Sequence, residues 1–482
     1  MNHLEKYELV VGLEVHAQLS TQSKLFCSDS TTFGADPNTQ VSPISLAHPG
    51  TLPKINKKAI ELAVKLGTVL HCEIERHNYF ARKNYFYPDL PKGYQVSQHT
   101  APICKGGYIT VITEAGEREI LLNRIHLEED AGKSIHDVDE YYTCVDLNRA
   151  GVPLVEIVTE PVIHSSEEAF LFLTELRKII RWIDVCDGNM EEGSMRCDAN
   201  ISIRLKGEKT LGKRVEVKNL NSIRNVKKAI EIEKERLIEL VEKNQIIVQE
   251  TRSYDADKNV TFSLRSKEES EDYRYFPEPD LPPFQISDEF IEQIKNALPP
   301  LPEQLKQKYI SAYNLSEYDA SLISADKETV SFFDNMLNHS HHYKAIANWI
   351  IGPVKEYCNE EKISIVDFPL NEKKLAELID LTEAGQINFN NASTKILHSL
   401  IANPNQNAME ASQALNLIQE KDSSAIEQWI NEALASMPEK VKEYKSGKKG
   451  LLGLFAGEVK KRSKGKADMQ EVTRILSIKL NN

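Results

Sequence analysis

The sequence predicts an α+β protein, an antiparallel sheet backed by helices followed by an all-helical part, and three observations predict it. Up to about residue 290, polar and apolar residues alternate in short runs broken by Gly, Pro and Asn clusters, the pattern of half-buried strands. From about residue 291 the apolar spacing becomes helical almost throughout. Between the two regimes, Leu281-Pro-Pro-Phe and Leu298-Pro-Pro-Leu-Pro deny the backbone a continuous helix or central strand. A second loop, ANPNQNAMEA at 402–411, splits the helical part, so the 482 residues divide into expected domains 1–292, 293–405 and 406–482.

The first strand, VGLEVHAQL (11–19), puts Val15, Ala17 and Leu19 on one face and Glu14, His16 and Gln18 on the other. A carboxylate and an imidazole two residues apart project side by side, as metal or phosphate chemistry requires. ARKNYFYPDLPKGYQVSQ (81–98) follows, with Tyr85, Phe86, Tyr87 and Tyr94 around prolines and a glycine and with Lys83 and Lys92 among them. Such rings stack a base or nucleoside, or form the rigid wall of a loop, and the sequence leaves both readings open.

The strand RIHLEEDAG carries His126, Glu128 and Asp130 on one face, with Glu129 between them. DLNRAGVPLVEIVTEP (146–161) has Glu156 alone inside an apolar run, which places a carboxylate either at a site or against an internal partner, with Arg149 the obvious one. Next comes a helix over HSSEEAFLFLTELRKIIRWID, where Ser165 and Glu168 make a capping box and Phe170, Leu173, Leu176, Ile180 and Ile183 a stripe. RCDANISIRL sets Asp198, Asn200, Ser202 and Arg204 against an apolar face, and RVEVKN does the same with Arg214, Glu216 and Lys218. A second helix, NSIRNVKKAIEIEKERLIELVEKN, is capped by Asn221 or Ser222 and striped by Ile223, Val226, Ile230, Leu237 and Val241.

Four strands therefore share one design, an apolar side for helices to cover and a side bearing groups that bind cations or phosphates. Glu14, Glu128, Glu129, Asp130, Asp198 and Glu216 on one concave surface would crowd like charges unless a cation neutralised them, and a divalent metal with a nucleotide does so. AGKS at 131–134 is not a phosphate-binding P-loop, because Leu127 stands where that motif needs its first Gly. No serine elbow or serine–lysine pair of the amidase type is present, so no nucleophile for hydrolysing an amide is evident.

Composition narrows the partners. A net charge of −13 argues against a general polyanion binder, so nucleic acid would have to meet a local patch. Residues 437–480 supply one, with twelve Lys and Arg against five acids. There the strip Leu451, Leu452, Leu454, Phe455 and Val459 predicts a small helical core, and Lys460, Lys461, Arg462, Lys464 and Lys466 extend from it as a solvated helix end or a surface for RNA phosphates. Seven cysteines without a Cys-x-x-Cys pair read as reduced thiols, mostly small buried side chains. With no apolar run approaching about 18 residues and no basic leader, a cytoplasmic protein is expected, with no membrane contact.

With these segments in hand, the chain resembles the B subunits of the tRNA-dependent amidotransferases. DLNRAGVPLVEIVTEP is close to that family's signature, and VGLEVHAQL, KNYFYPDLPKGYQVSQ, HLEEDAGKS, EEGSMRCDANIS, EVKNLNS, DYRYFPEPDLPP, GKKGLLGLFAGEV and KGKAD follow in family order. The resemblance implies a cradle of antiparallel sheet, a helical domain and a tRNA-handling helical tail. It implies an ATP-dependent ligase that phosphorylates the side-chain carboxylate of Glu-tRNA(Gln) or Asp-tRNA(Asn) and displaces the phosphate with ammonia. The ammonia would come through a channel from a glutaminase A subunit, held with a C subunit in a heterotrimer. By the same resemblance Glu14, His16, Glu128 and Glu156 would hold Mg²⁺ and do the chemistry, with Asp198, Glu216 and Arg149 around the ATP. Lys83, Lys92 and Glu129 would line the ammonia path, and Lys460, Lys461, Arg462, Lys464 and Lys466 would meet the misacylated tRNA. Family members often carry two cysteine pairs in the segment from Phe26 to Pro53; here Cys27 stands with Asp29, Ser42 and Ser45, so no structural zinc is expected. The competing reading is a non-catalytic tRNA-binding scaffold, for which carboxylates crowded on a concave face have no use.

Overall fold

The computed structural model describes residues 6–266, 272–419, 423–463 and 466–481. It forms two compact units, 1–299 and 300–482. The first is built on one large sheet. Its main strands, in chain order, are β1 (Tyr7–Gln18), β2 (Ala81–Asn84), β3 (Tyr94–Ser97), β4 (Tyr108–Thr113), β5 (Gly116–Glu129) and β6 (Pro153–Thr159). After them come β7 (Met195–Leu205), β8 (Val215–Leu220), β9 (Glu250–Asp255), β10 (Val260–Ser266) and the short β11 (Phe276–Pro277). They lie side by side in the order β10-β9-β8-β7-β1-β6-β5-β3-β2-β11, with β4 pairing on β5. Neighbours run antiparallel except β8 and β9, which are parallel.

This order explains why four separate strands share one design. β8, β7 and β1 are consecutive neighbours, and β6 joins β1 to β5. Directly opposed residues project to the same side, so the apolar faces merge into one surface: Leu13, Val15 and Ala17, Val155 and Ile157, Ile125 and Leu127, Ala199 and Ile201, Val215 and Val217, all buried. Three helices cover it. α1 (Lys57–Val69) packs on β5 and β6, α2 (Ser166–Trp182) on β4, and α3 (Ile223–Glu242) on β7, β8 and α2.

The helix caps are largely those the sequence signals. Ser165 accepts from the Glu168 N–H at 3.0 Å, whereas the Glu168 carboxylate reaches one residue further back than a simple capping box, to the His164 N–H at 2.8 Å. Phe172, not Phe170, joins the buried stripe of α2, and Phe170 lies under the Lys227 ammonium instead. Of the two candidate caps for α3, Ser222 is the one used, accepting from the Asn225 N–H. Its buried stripe includes Glu233, which is fully enclosed and paired with Arg236 and Arg252.

The expected boundary at 292/293 falls inside a helix, Asp288–Asn296, which packs on α1, so the first unit continues to the Leu298-Pro-Pro run. The second unit is helical among its described residues. Within it, residues 426–480 enclose a cluster of their own around Ile430, Tyr444, Phe455, Val459, Val472 and Leu476. Leu454 stands outside that cluster at 47% exposure, because on the helix Leu452–Arg462 it lies off the face that carries Phe455 and Val459.

Candidate functional site

The polar face of the sheet is assembled by register. His16 on β1 stands opposite Glu156 on β6 and Arg196 on β7, and Glu156 stands opposite His126 on β5. A transverse row His126–Glu156–His16–Arg196 therefore crosses four strands. One step along in one direction Glu14 faces Asp198, and one step in the other Glu128 enters beside Glu156 from β5.

The centre is a ring of two imidazoles and two carboxylates. His126 Nε2 lies 3.2 Å from Glu156 Oε2 and 3.6 Å from Glu128 Oε2. His16 Nε2 lies 3.6 Å from Glu156 Oε2 and 3.7 Å from Glu128 Oε1. All four are largely shielded, with side-chain exposures of 5% for Glu128 and His126, 14% for Glu156 and 21% for His16. Burial disfavours the His126 imidazolium, but the charges and hydrogen bonds of Glu156 and Glu128 together outweigh it and hold the ring's pKa up at about 9. Burial acts against the His16 imidazolium too, and its contact with Glu156 still raises it above 6.5. Glu156 is drawn well below the usual carboxylate range against its own burial, chiefly by His126. Glu14 goes the other way. Burial and the neighbouring charge of Glu156 push its pKa up, and its Oε1 accepts from Asn200 Nδ2 at 2.8 Å.

One donor atom each from His16, Glu128 and Glu156 can be chosen so that all lie within 4.8 Å of one another. Ligands around a small divalent ion at about 2.1 Å stand at most about 4.2 Å apart, so this ring is slightly more open than a closed coordination shell. The set fits a divalent cation in charge and in donor type, two carboxylate oxygens and one imidazole nitrogen on one side, with Glu14 close by. Two further observations bear on a group held here: Glu14 lies under the charge of Glu156, and the buried Nδ1 of His126 has no hydrogen-bond partner among the described residues. Beside Glu14 opens a cavity of about 330 Å³, lined among others by Gly12, Asn200, Lys213, Arg214 and Gln249.

Other expected residues fall around this centre. Lys218 bridges Asp198 at 2.9 Å and Glu216 at 3.1 Å, so those two carboxylates share one ammonium from within the sheet, and Thr251 donates to Glu216. The possible Arg149–Glu156 pair is not formed. Arg149 donates to the carbonyls of Ala131 and Gly132 and faces Asp130 at 3.8 Å, because the turn before β6 directs it toward the end of β5, while Glu156 is taken by the two histidines. Asp130 also receives Arg196 at 2.9 Å and Gln18 at 2.7 Å.

Lys83, Lys92 and Glu129 do not form one cluster. Lys92 pairs with Glu129, whose Oε1 also accepts the Val96 N–H, and its ammonium sits over the Phe26 ring. Glu128 and Glu129 are successive strand residues and point to opposite sides of the sheet. Lys83 belongs with Glu128, under whose charge it lies, and its ammonium rests 4.9 Å from the centre of the Tyr273 ring. A second cavity, of about 270 Å³, opens at Lys92, between Phe26, Arg82, Tyr94 and Glu278.

Cys27, Asp29, Ser42 and Ser45 converge as a hydrogen-bonded knot. Asp29 Oδ2 accepts from the Ser42 N–H at 2.9 Å, from Cys27 Sγ at 3.3 Å and from the Ser45 hydroxyl, with the buried Lys24 ammonium 3.5 Å from Ser45. In the tail, Lys460 and Lys461 are exposed, Arg462 pairs with Glu458, and Lys466 donates to Asn416. Lys464 lies outside the described residues.

The site residue that sequence reasoning passes over is His126. The signal is present, since it stands two positions before Glu128 on the same face, but nothing in the chain shows that it will meet Glu156 from the neighbouring strand.

A family model described as the GatB/GatE catalytic domain matches residues 9–292, and one described as the GatB domain matches residues 331–480. Among curated relatives, the chain is 46% identical over 480 residues to the B subunit of the aspartyl/glutamyl-tRNA(Asn/Gln) amidotransferase of Oleidesulfovibrio alaskensis, covering 99% of this chain and 100% of the relative. Proteins of the same name from Thermodesulfovibrio yellowstonii (46%, 98% of each chain) and Persephonella marina (46%, 98% of this chain and 99% of the relative) are similarly close.

Proposed function

The chain belongs to the family of amidotransferase B subunits, components of a glutamine-dependent carbon–nitrogen ligase, and from that premise we propose that its polar sheet face is a carboxylate kinase and amidation centre. The substrate is the side-chain carboxylate of glutamate on tRNA(Gln) or aspartate on tRNA(Asn), the partners the glutaminase A subunit and a C subunit.

A carboxylate does not react with ammonia until one of its oxygens becomes a leaving group. The γ-phosphoryl P–O bond to ADP breaks as a P–O bond to the carboxylate forms; the ammonia lone pair then adds to the acyl carbon, phosphate departs, and nitrogen sheds a proton. When bound, Mg²⁺ supplies charge neutralisation for phosphoryl transfer between two anions. His16, Glu128 and Glu156 would hold it, with Glu14 beside them. The cavity at Glu14 is the place for the nucleotide, with Lys213 and Arg214 as cations for its phosphates and Gly12 leaving the strand surface open. Asp198 and Glu216, tied by Lys218, keep that wall rigid, and Arg149 holds the loop after β5 rather than the nucleotide. Lys92 with Glu129, and Lys83 on the other face, are two separate polar points for the passage of ammonia.

The observation that carries the reading is the convergence of His16, Glu128 and Glu156 on one ion-sized space. Its test uses the full chain assembled with its partner subunits, ATP, misacylated tRNA and hydroxylamine in place of ammonia. ADP and the side-chain hydroxamate should form together and only with misacylated tRNA. ADP formation indifferent to that tRNA, or none at all, would support the scaffold reading instead.

Two expectations follow for the site and the tail. The charges around His16 favour its protonated form, so an entering ion competes with a proton for the imidazole. Titration calorimetry with Mg²⁺ in buffers of different ionisation enthalpy should show proton release on binding, with affinity rising with pH; affinity independent of pH and no release at any pH would remove His16 from the coordination set. In the tail, Lys460→Ala with Lys461→Ala should weaken tRNA binding and reduce the slope of log affinity against log salt by about 2, glutaminase activity being unchanged.

A further inference from the structure

The chemistry proposed above fixes a length. In glutamyl-tRNA the reacting carboxylate is joined through the amino acid to the terminal ribose, about 6 Å away at full extension. Whatever holds the terminal nucleoside must therefore lie at the rim of the Glu128–Glu156 ring.

Two distant segments meet on that rim. His99 follows β3, and Tyr273 and Tyr275 precede β11, the outermost strand on that side of the sheet. The His99 and Tyr275 rings stack, with centroids 3.9 Å apart and planes within 8°. Tyr273 stands edge-on to Tyr275 at 6.0 Å and to Tyr85 at 6.2 Å. Tyr275 lies close enough to feel the charges of both Glu128 and Glu156. His99 is exposed and Tyr273 and Tyr275 are half-buried, so the assembly is a surface shelf beside the ring of ligands and no part of the buried core. A flat aromatic surface, open on one side and next to a reacting centre, is the chemistry that recognises a nucleobase by stacking.

The reaction brings two nucleosides to this face, that of ATP and the unpaired terminal adenosine of the tRNA. They have two separate places. The cavity at Glu14 lies toward β7 and carries Lys213 and Arg214, which suits a triphosphate. The aromatic shelf lies on the opposite flank of β6, toward β3 and β2, where the Lys83 ammonium rests against Tyr273 and the Arg124 guanidinium acts on His99. We propose that the shelf of His99, Tyr273 and Tyr275 binds the terminal adenosine of the aminoacyl-tRNA, its base stacked on the rings and its aminoacyl group directed into the Glu128–Glu156 ring. This assignment rests on the carboxylate-kinase reading.

The test measures tRNA-dependent ADP formation by the assembled enzyme for wild type, Tyr275→Ala, Tyr275→Phe and His99→Ala. It adds inhibition by 3′-glutamylamido-3′-deoxyadenosine, the stable analogue of the aminoacylated end. Tyr275→Ala and His99→Ala should each raise both the KM for misacylated tRNA and the inhibition constant of the analogue about tenfold, with the KM for ATP unchanged. Tyr275→Phe should restore both, since it keeps the ring. A rise confined to the KM for ATP would place the other nucleoside on the shelf and overturn the proposal. Unchanged constants in His99→Ala, whose exposed ring is dispensable for folding, would do the same even if Tyr275→Ala did not assemble. Absence of tRNA-dependent ADP formation in the wild type would instead strike the reading beneath it, so the two failures are distinguishable.

Discussion

Glu156→Gln should lower tRNA-dependent ADP formation by about 10³-fold while the protein remains folded and the glutaminase partner keeps its activity. Glu156 contacts both imidazoles, as Glu128 does, but from the strand lying between theirs, His126 at 3.2 Å and His16 at 3.6 Å. The amide keeps the shape but removes the charge that favours both imidazolium ions and takes an anionic ligand from the proposed metal set. Because the side chain is 14% exposed and spans strands that pair regardless, the loss should appear in kcat and in Mg²⁺ affinity more than in the unfolding midpoint. A variant with full phosphorylation and normal metal dependence would remove Glu156 from the chemistry.

Arg82→Ala should destabilise the first unit by about 3–5 kcal/mol, read as a drop in the denaturant midpoint at unchanged m. The guanidinium makes a two-point contact with Glu278, both bonds 2.8 Å, and reaches Asp280 at 3.1 Å. Glu278 is 1% exposed, so the truncation leaves a buried carboxylate without its cation, which costs far more than the loss of a surface pair. The Arg82 group also lies 4.1 Å from the centre of the Tyr94 ring and adds packing that Lys cannot reproduce. Since Phe276 pairs with Arg82 and Pro277 with Ala81, the same change should loosen the segment that presents Tyr273 and Tyr275 and raise the KM for misacylated tRNA. Glu278→Gln, which removes the buried charge along with its partner's need, should cost less. Equal losses for the two variants would mean that the burden lies in packing.

The parts of this site that are legible in the chain are those carried by alternation within one strand. Glu14 with His16, His126 with Glu128, Asp198 with Asn200 and Glu216 with Lys218 each share a face because side chains in a strand repeat every two residues. What alternation cannot supply is which strand lies beside which. Glu156 is visible as a carboxylate misplaced in an apolar run, but the only partner its own segment offers is Arg149. The actual partners, His16 and His126, are set by the β1–β6 and β5–β6 registers, which depend on pairings between residues far apart in the chain. For the same reason the three polar residues expected along one ammonia path separate onto two faces, since Glu128 and Glu129 are adjacent and must diverge.

The aromatic shelf is half legible. Tyr85 and its neighbours stand out as rings among cations, yet the stack that matters joins His99 to Tyr275, 176 positions later, through the short strand that pairs with β2. Helix ends are easier, because a cap is a local contract between a side chain and an N–H two or three residues on. Their one surprise, Glu168 bonding to His164 rather than Ser165, comes from Arg118 drawing the carboxylate toward β5.

Phosphorylation of the side-chain carboxylate before ammonia attacks it fixes where that carboxylate's oxygen must go. Glutamyl-tRNA bearing ¹⁸O in its side-chain carboxylate, turned over by the assembled enzyme with ATP and glutamine, tests it directly by mass analysis of the phosphate released. One ¹⁸O atom should appear in the inorganic phosphate for each amide formed, because the oxygen that leaves with phosphorus began on the carboxylate. Unlabelled phosphate accompanying amide formation would contradict it.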